Sequence, residues 1–163
     1  MIEIERMSEA SIPEIAPLIA QFRVVLKALK GIQACPNEEE GASELKEYLD
    51  AGFPVFTARK AGVFCGCMVC RVDEPCVWVE SIFVLPEFRR QGVASAVFRR
   101  AEELAAAYGE DTVYNYVHPN NHGIIGFLKS RGYTVLNLIE IRKPYAGEKL
   151  TGKIQVDQNQ FDY

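Results

Sequence analysis

Residues 77–107 read VWVESIFVLPEFRRQGVASAVFRRAEELAAA. An apolar run, 77–85, carries one carboxylate, Glu80, and Pro86 ends it because proline has no amide for a sheet ladder. Arg89, Arg90, Gln91 and Gly92 follow, and helical periodicity starts at once. Val93, Val97, Ala101, Leu104 and Tyr108 recur at three- and four-residue spacing, with Arg99, Arg100, Glu102 and Glu103 on the other side. The stretch is a strand, a tight basic turn and the start of an amphipathic helix.

That order has a chemistry. First-turn amides lack intrahelical partners and carry the positive end of the peptide dipoles. Gly92 lets backbone approach a ligand, and two arginines add forked donors. The turn is a cradle for an anion such as a pyrophosphate, or else a plain strand-to-helix turn with a solvated arginine pair. A P-loop and a three-glycine dinucleotide fingerprint are both excluded, since the turn has one glycine and no lysine.

What the turn does read is R-x-x-G-x-A, Arg89 to Ala94, with V-x-P just before it. The string WVESIFVLPEFRRQGVA resembles the acyl-coenzyme A loop of the GNAT superfamily of N-acetyltransferases, especially its bacterial and aminoglycoside 6′-type members. Asn121-x5-Phe127-x4-Gly132-Tyr133 resembles a second GNAT motif, N-x-x-A-x-x-F-Y-x-x-x-G-F. The resemblance implies acetyl-coenzyme A as co-substrate. Arg89, Arg90, Gln91, Gly92, Val93, Ala94 and Ser95 would surround its pyrophosphate, and the edge of Ile82, Phe83 and Val84 would pair with pantetheine. Asn121 would bond to the pantetheine arm, with Phe127 packed near it. Asn121 also reads as an ordinary helix N-cap and Phe127 as core. Gly123 and Gly126 each cost a helix about 1 kcal/mol against alanine, which points to close approach by cofactor or by a neighbouring strand. The chain departs from the family at Leu128, where a tyrosine usually protonates the leaving thiolate.

An amine must be neutral to attack a thioester, and a carboxylate can take its proton. Glu80 sits in an otherwise apolar run and by alternation shares a face with Ile82 and Val84. It reads as base or amine anchor, in line with the family, or as a structural hydrogen-bond partner of a neighbouring strand. His118 and His122 are alternatives that also read as exposed loop residues. No residue stands out as a covalent nucleophile, so the expected reaction is direct attack by a small-molecule or peptide amine in a ternary complex.

The 163 residues suffice for one domain, 1–163, with 144–163 as an extension holding a candidate strand at 153–156. Net charge −4 argues against a nucleic-acid binder, and no apolar run approaches the roughly 18 residues of a membrane span. The start MIEIERM lacks the basic and apolar regions of a signal peptide, so a cytoplasmic protein is expected. Relatives are commonly homodimers, which leaves that assembly open. Five cysteines argue against a disulfide framework. Cys65, Cys67 and Cys70 lie in one strand-like run with Cys70 facing away from the other two, which favours buried hydrophobes over a metal site.

Elsewhere, 2–7 alternates as a first strand, and Ser11 with Glu14 reads as a capping box opening a helix that Gly31 closes. Asn37 caps a second helix whose first turn holds Glu38, Glu39 and Glu40. That acidic run is a helix-start feature and a secondary candidate for attracting an amine. Residues 55–60 and 63–72 form a hairpin, 112–117 a strand parallel to 77–85, and 133–141 a final long strand. The expected fold is α/β of the α+β type, the GNAT fold. Its mixed, mainly antiparallel sheet is splayed where two parallel strands meet. A non-catalytic acyl-coenzyme A binding module is the alternative that Leu128 favours, and a cysteine-dependent metal or redox protein is a third class.

Overall fold

Short segments rich in β-branched and aromatic residues, broken by tight turns, lay down the sheet. The computed structural model describes residues 1–163, which form two units, Met1–Gly126 and Phe127–Tyr163. In the first unit β1 (Ile2–Arg6), β2 (Val55–Lys60), β3 (Val63–Asp73) and β4 (Cys76–Val84) run antiparallel in the order β1-β2-β3-β4. The crossover after β4 returns as β5 (Tyr114–Asn115), parallel to β4 and at the sheet's edge.

Helices cover both faces. α1 (Ile12–Leu29) and α2 (Glu38–Asp50) lie over one, where the Phe22 and Phe83 rings are 5.7 Å apart. α3 (Val93–Ala107) lies over the other. Its approach is close at Gly66, where a Cβ would come within 3.2 Å of both Val93 Cγ1 and the Phe83 carbonyl oxygen. Ile15, Ile19, Leu45, Val55, Val69 and Val97 are fully buried in this unit. Each such side chain contributes about 1.5–3 kcal/mol by leaving water.

The capping expectations divide. Asn37 Oδ1 accepts from the Glu40 amide at 3.2 Å, as expected at the start of α2. Ser11 makes no side-chain cap, because a 3-10 turn at Glu9–Ser11 leads into α1 and holds Ser11 in helical rather than extended backbone (φ −89°, ψ −3°). The strand expected at 112–117 is paired only at Tyr114 and Asn115, opposite Trp78 and Val79.

α4 (His122–Ser130) runs across the boundary between the units. In the second unit the expected strand at 133–141 does not form. Val135, Leu136, Leu138 and Ile141 are exposed, and the run has no partner strand. β-branched composition does not make a strand without a ladder to pair its amides. The tail supplies the only pairing of this unit: β6 (Lys153–Val156), starting where the sequence placed a strand, turns at Asp157 (φ +51°) into β7 (Asn159–Asp162).

Candidate active site

Glu80 stands at an irregularity that alternation along one strand does not reveal. Val69 pairs with Ser81 and Cys70 pairs with Val79, which leaves Glu80 as the extra residue of a β-bulge. Past the bulge the faces of β4 are exchanged. Ile82 and Val84 therefore share the α3 face, while Glu80 turns to Arg71 on the α1–α2 face, contrary to the parity expected from sequence. A bulge also bends its strand. The β4–β5 pairing stops at Val79, the residue before it, so the stretch from Glu80 to Val84 has no strand on its outer edge.

Arg71 organises what surrounds Glu80. Its Nε donates to Glu80 Oε1 at 2.7 Å, its Nη1 pairs with Asp73, and its Nη2 lies 3.4 Å from the Tyr116 hydroxyl. The guanidinium stands over the Trp78 ring at 5.4 Å, and Trp78 is stacked against both Tyr114 (4.6 Å) and Tyr116 (4.9 Å). The hydrogen bond to Glu80 raises the Arg71 pKa further. The Glu80 side chain is 25% exposed.

A second network lies on α1 and α2. Arg23 Nε donates to Glu44 Oε2 at 2.7 Å, and the Tyr48 hydroxyl donates to Glu44 Oε1 at 2.8 Å while accepting from Arg23 Nη2. Burial, then the bond to Glu44, raises the Tyr48 phenol pKa, and the charge of Glu80 adds to the shift. Tyr48 therefore stays protonated within the field of both carboxylates. Glu39, Glu40, Glu44 and Glu47 rim an open depression beside it, so only part of the acidic helix start faces this side.

At the other end of the free β4 edge lies the basic turn. Gly92 takes φ +83°, which an L side chain rarely adopts, and α3 starts at Val93. Ala96 is the first amide bonded back, to the Gly92 carbonyl at 2.9 Å, and no side chain caps the end. The amides of Val93, Ala94 and Ser95 are thus left for a ligand. The Gln91 side chain donates to the Glu87 carbonyl (2.7 Å) and accepts from Lys60 Nζ (2.6 Å). Both arginines are exposed: Arg89 Nε donates to the Val84 carbonyl at 2.9 Å, and Arg90 takes φ +59°.

Asn121 receives the Ile124 amide at 3.5 Å and the Ile125 amide on its carbonyl, so it does open α4. A Cβ at Gly126 would meet nothing within 4 Å, and one at Gly123 only the Asn121 side chain, so no neighbouring strand explains these glycines. His122 is exposed and His118 half-buried. In the second unit Phe127 is half-buried with the Arg131 guanidinium 5.8 Å from its ring, and Leu128 is buried. The buried thiols of Cys67 and Cys70, on opposite faces of β3, are each pushed up to about 12 by burial.

Arg71, Tyr48, Trp78 and Lys60 do not stand out as site residues in the sequence. Arg71 had a signal, a cation inside the run 63–73, but its meaning lies in the strand opposite. Lys60, at the end of a hairpin, had none.

A protein-family model described as "Acetyltransferase (GNAT) family" matches residues 25–133. None of the curated proteins matches the chain in sequence. Among solved structures, the chain is similar to the aminoglycoside N-acetyltransferase AAC(6′)-Iy in complex with the bisubstrate analogue CoA-S-monomethyl-acetylneamine. Identity there is 22% over 89% of this chain and 99% of that one, with a TM-score of 0.67. It is also similar to a ribosomal-protein-alanine N-acetyltransferase from Brucella melitensis biovar Abortus 2308, at 15% identity over 89% and 99% of the two chains (TM-score 0.70). A third is the aminoglycoside 6′-N-acetyltransferase AAC(6′)-IG from Acinetobacter haemolyticus, at 19% over 88% and 99% (TM-score 0.65). At such identities the likeness is one of fold.

Proposed function

Since the chain belongs to the acetyltransferase (GNAT) family, whose co-substrate is acetyl-coenzyme A, we propose that it transfers acetyl to a primary amine by direct attack in a ternary complex, with Glu80 taking the amine's proton. The observation that carries this reading is the free edge of β4. It starts at Glu80, where the bulge stops pairing to β5, and ends at the turn whose amides are unbonded. An amide-bearing pantetheine arm can add to such an edge as a strand does, along Ile82, Phe83 and Val84. The pyrophosphate then meets the amides of Gly92, Val93, Ala94 and Ser95, with Arg90 and Lys60 adding charge. Asn121 serves the pantetheine arm in this reading, and for Phe127 the same role rests on the family motif alone.

The ammonium gives a proton to Glu80. The neutral nitrogen bonds to the acetyl carbon as the carbon–sulfur bond breaks, and its second proton neutralises the departing thiolate. Five free cysteines accord with a cytoplasmic setting, and a homodimer stays within the proposal. The acceptor classes in view are polycationic amines such as neamine and peptides beginning with alanine.

A non-catalytic acyl-coenzyme A binding module is the second reading, favoured by Leu128 where the family has its tyrosine. Calorimetry with coenzyme A, followed by mass spectrometry of neamine, spermidine, lysine and an alanine-starting peptide after incubation with acetyl-coenzyme A, separates the two. The enzyme reading expects binding and one acetylated product. Binding with no product on any amine favours the module.

A further inference from the structure

The guanidinium of Arg71 meets three partners with three different nitrogens. Nε takes Glu80, Nη1 takes Asp73 and Nη2 lies by Tyr116, while the plane rests over Trp78. These partners come from β3 (Asp73), from β4 at the bulge residue Glu80 and before it at Trp78, and from Tyr116 just after β5. Arg71 is opposite Trp78 in the ladder, so its stem is fixed by pairing before any side-chain contact is made. Glu80, as the extra residue of a bulge, has no such partner across the ladder. Its carboxylate is oriented by side chains alone.

The consequence for Glu80 is specific. Oε1 accepts from Arg71, and Oε2 accepts no hydrogen bond from the protein. Only one of the five guanidinium N–H groups goes to Glu80, and the charge is shared with Asp73. A bidentate grip would have closed both oxygens to a substrate. The other ionisable groups whose fields meet Glu80 are the Tyr48 phenol on α2 and the Cys70 thiol on β3, and neither bonds to it.

We propose that Arg71 is a positioning residue for acetyl transfer: by holding Oε1 of Glu80 it fixes Oε2 as the oxygen that receives the proton of the acceptor amine. This rests on the assignment of Glu80 as the base. A positioned base within reach of its proton is worth far more than a freely rotating one, because reach and direction are set before the amine arrives. Loss of Arg71 should therefore lower kcat while leaving coenzyme A affinity and the KM of the amine nearly unchanged.

The test is a double-mutant cycle on the full chain, using whichever of neamine, spermidine, lysine and an alanine-starting peptide turns over fastest. Arg71→Met should lower kcat about 10- to 100-fold, within the range set by losing the base itself. Arg71→Lys, which keeps the charge without the fork, should recover part of that loss. In a Glu80→Gln background the same Arg71→Met change should alter kcat less than about twofold, because residues acting as a unit are not additive. Equal losses in both backgrounds would make Arg71 merely structural and overturn the proposal. So would a fully active Arg71→Met beside an impaired Glu80→Gln. Full activity of Glu80→Gln sinks the base assignment instead, and wild-type turnover of none of the four amines sinks acyl transfer, each taking this role with it. Should Arg71→Met lose coenzyme A binding, and hence its fold, Arg71→Lys carries the cycle with the same two outcomes.

Discussion

Arg89 Nε donates to the Val84 carbonyl oxygen over 2.9 Å, and its guanidinium lies 5.8 Å from the Phe83 ring. The first arginine of the pair is thereby a clasp between the turn and β4, and the second, whose guanidinium makes no hydrogen bond within the protein, is the one left for phosphate. Arg90→Ala should weaken coenzyme A binding about ten- to a hundred-and-fiftyfold, the worth of one charge-assisted hydrogen bond, with little change in melting temperature. Arg89→Ala should lower the melting temperature as well as the affinity. Calorimetry paired with thermal melts checks the division, and equal melting temperatures in the two variants would contradict it.

Gly92 joins two requirements, a left-handed φ of +83° and a backbone open to a ligand. A side chain there costs about 1–2 kcal/mol of strain, less for Asp than for most residues. Gly92→Asp should stay folded yet lose coenzyme A binding by more than about a hundredfold, because its carboxylate would face the pyrophosphate. Gly92→Ala, with strain but no charge, should lose less. Unchanged affinity in the Asp variant removes the basis for the anion cradle.

This turn is legible in the sequence because everything needed for it is local: Pro86, the arginines, Gly92 and the periodic helix occupy neighbouring positions. Glu80 was legible as a lone carboxylate in an apolar run. Its face was not, because the bulge that redirects it is a property of the register between β3 and β4. Arg71, nine residues away in sequence, and Tyr48, on another element, entered only through that pairing. The run 133–141 failed for the converse reason: its composition favours a strand, and no ladder is there to receive it.

Burial holds the thiols of Cys67 and Cys70 at about 12, above the usual value near 8.5. Groups whose pKa is raised by folding stabilise the fold fully below the unfolded value, and that stability is lost as pH rises through the folded one. Melting temperature should thus fall between about pH 8.5 and 12. At pH 8 a thiol reagent should label exposed Cys35 at once, and Cys67 and Cys70 only on unfolding. Rapid labelling of either in the native protein would show that β3 opens readily.

With Glu80 as base, Glu80→Gln should leave coenzyme A affinity intact and lower turnover about 10²–10⁴-fold at neutral pH. The deficit should narrow as pH rises, because more of the acceptor amine is already neutral. A deficit that is constant from pH 7 to about 10 would assign Glu80 to holding the amine rather than deprotonating it.

The departing thiol lacks the family's usual acid. Leu128 is buried at the place where the family carries a tyrosine, and leucine has no proton to give. Thiols ionise near pH 8.5 unperturbed, and the positive end of a helix lowers that value. α4 opens at His122 directly after Asn121, within the second cofactor motif; its His122 and Ile124 amides are bonded to Asn120 and Asn121, so what its N-terminus offers is the positive end of the helix dipole and the Gly123 amide. A departing thiolate stabilised there needs no dedicated acid. Tyr114 and Tyr116 are the other donors on the neighbouring strand, but both stack on Trp78, and the Tyr116 hydroxyl is already beside Arg71. Tyr114→Phe and Tyr116→Phe should each keep most of the activity, since phenylalanine preserves the stack. Leu128→Tyr should raise turnover or leave it unchanged. If either phenylalanine variant loses turnover while fold and coenzyme A binding persist, that hydroxyl is the relocated acid.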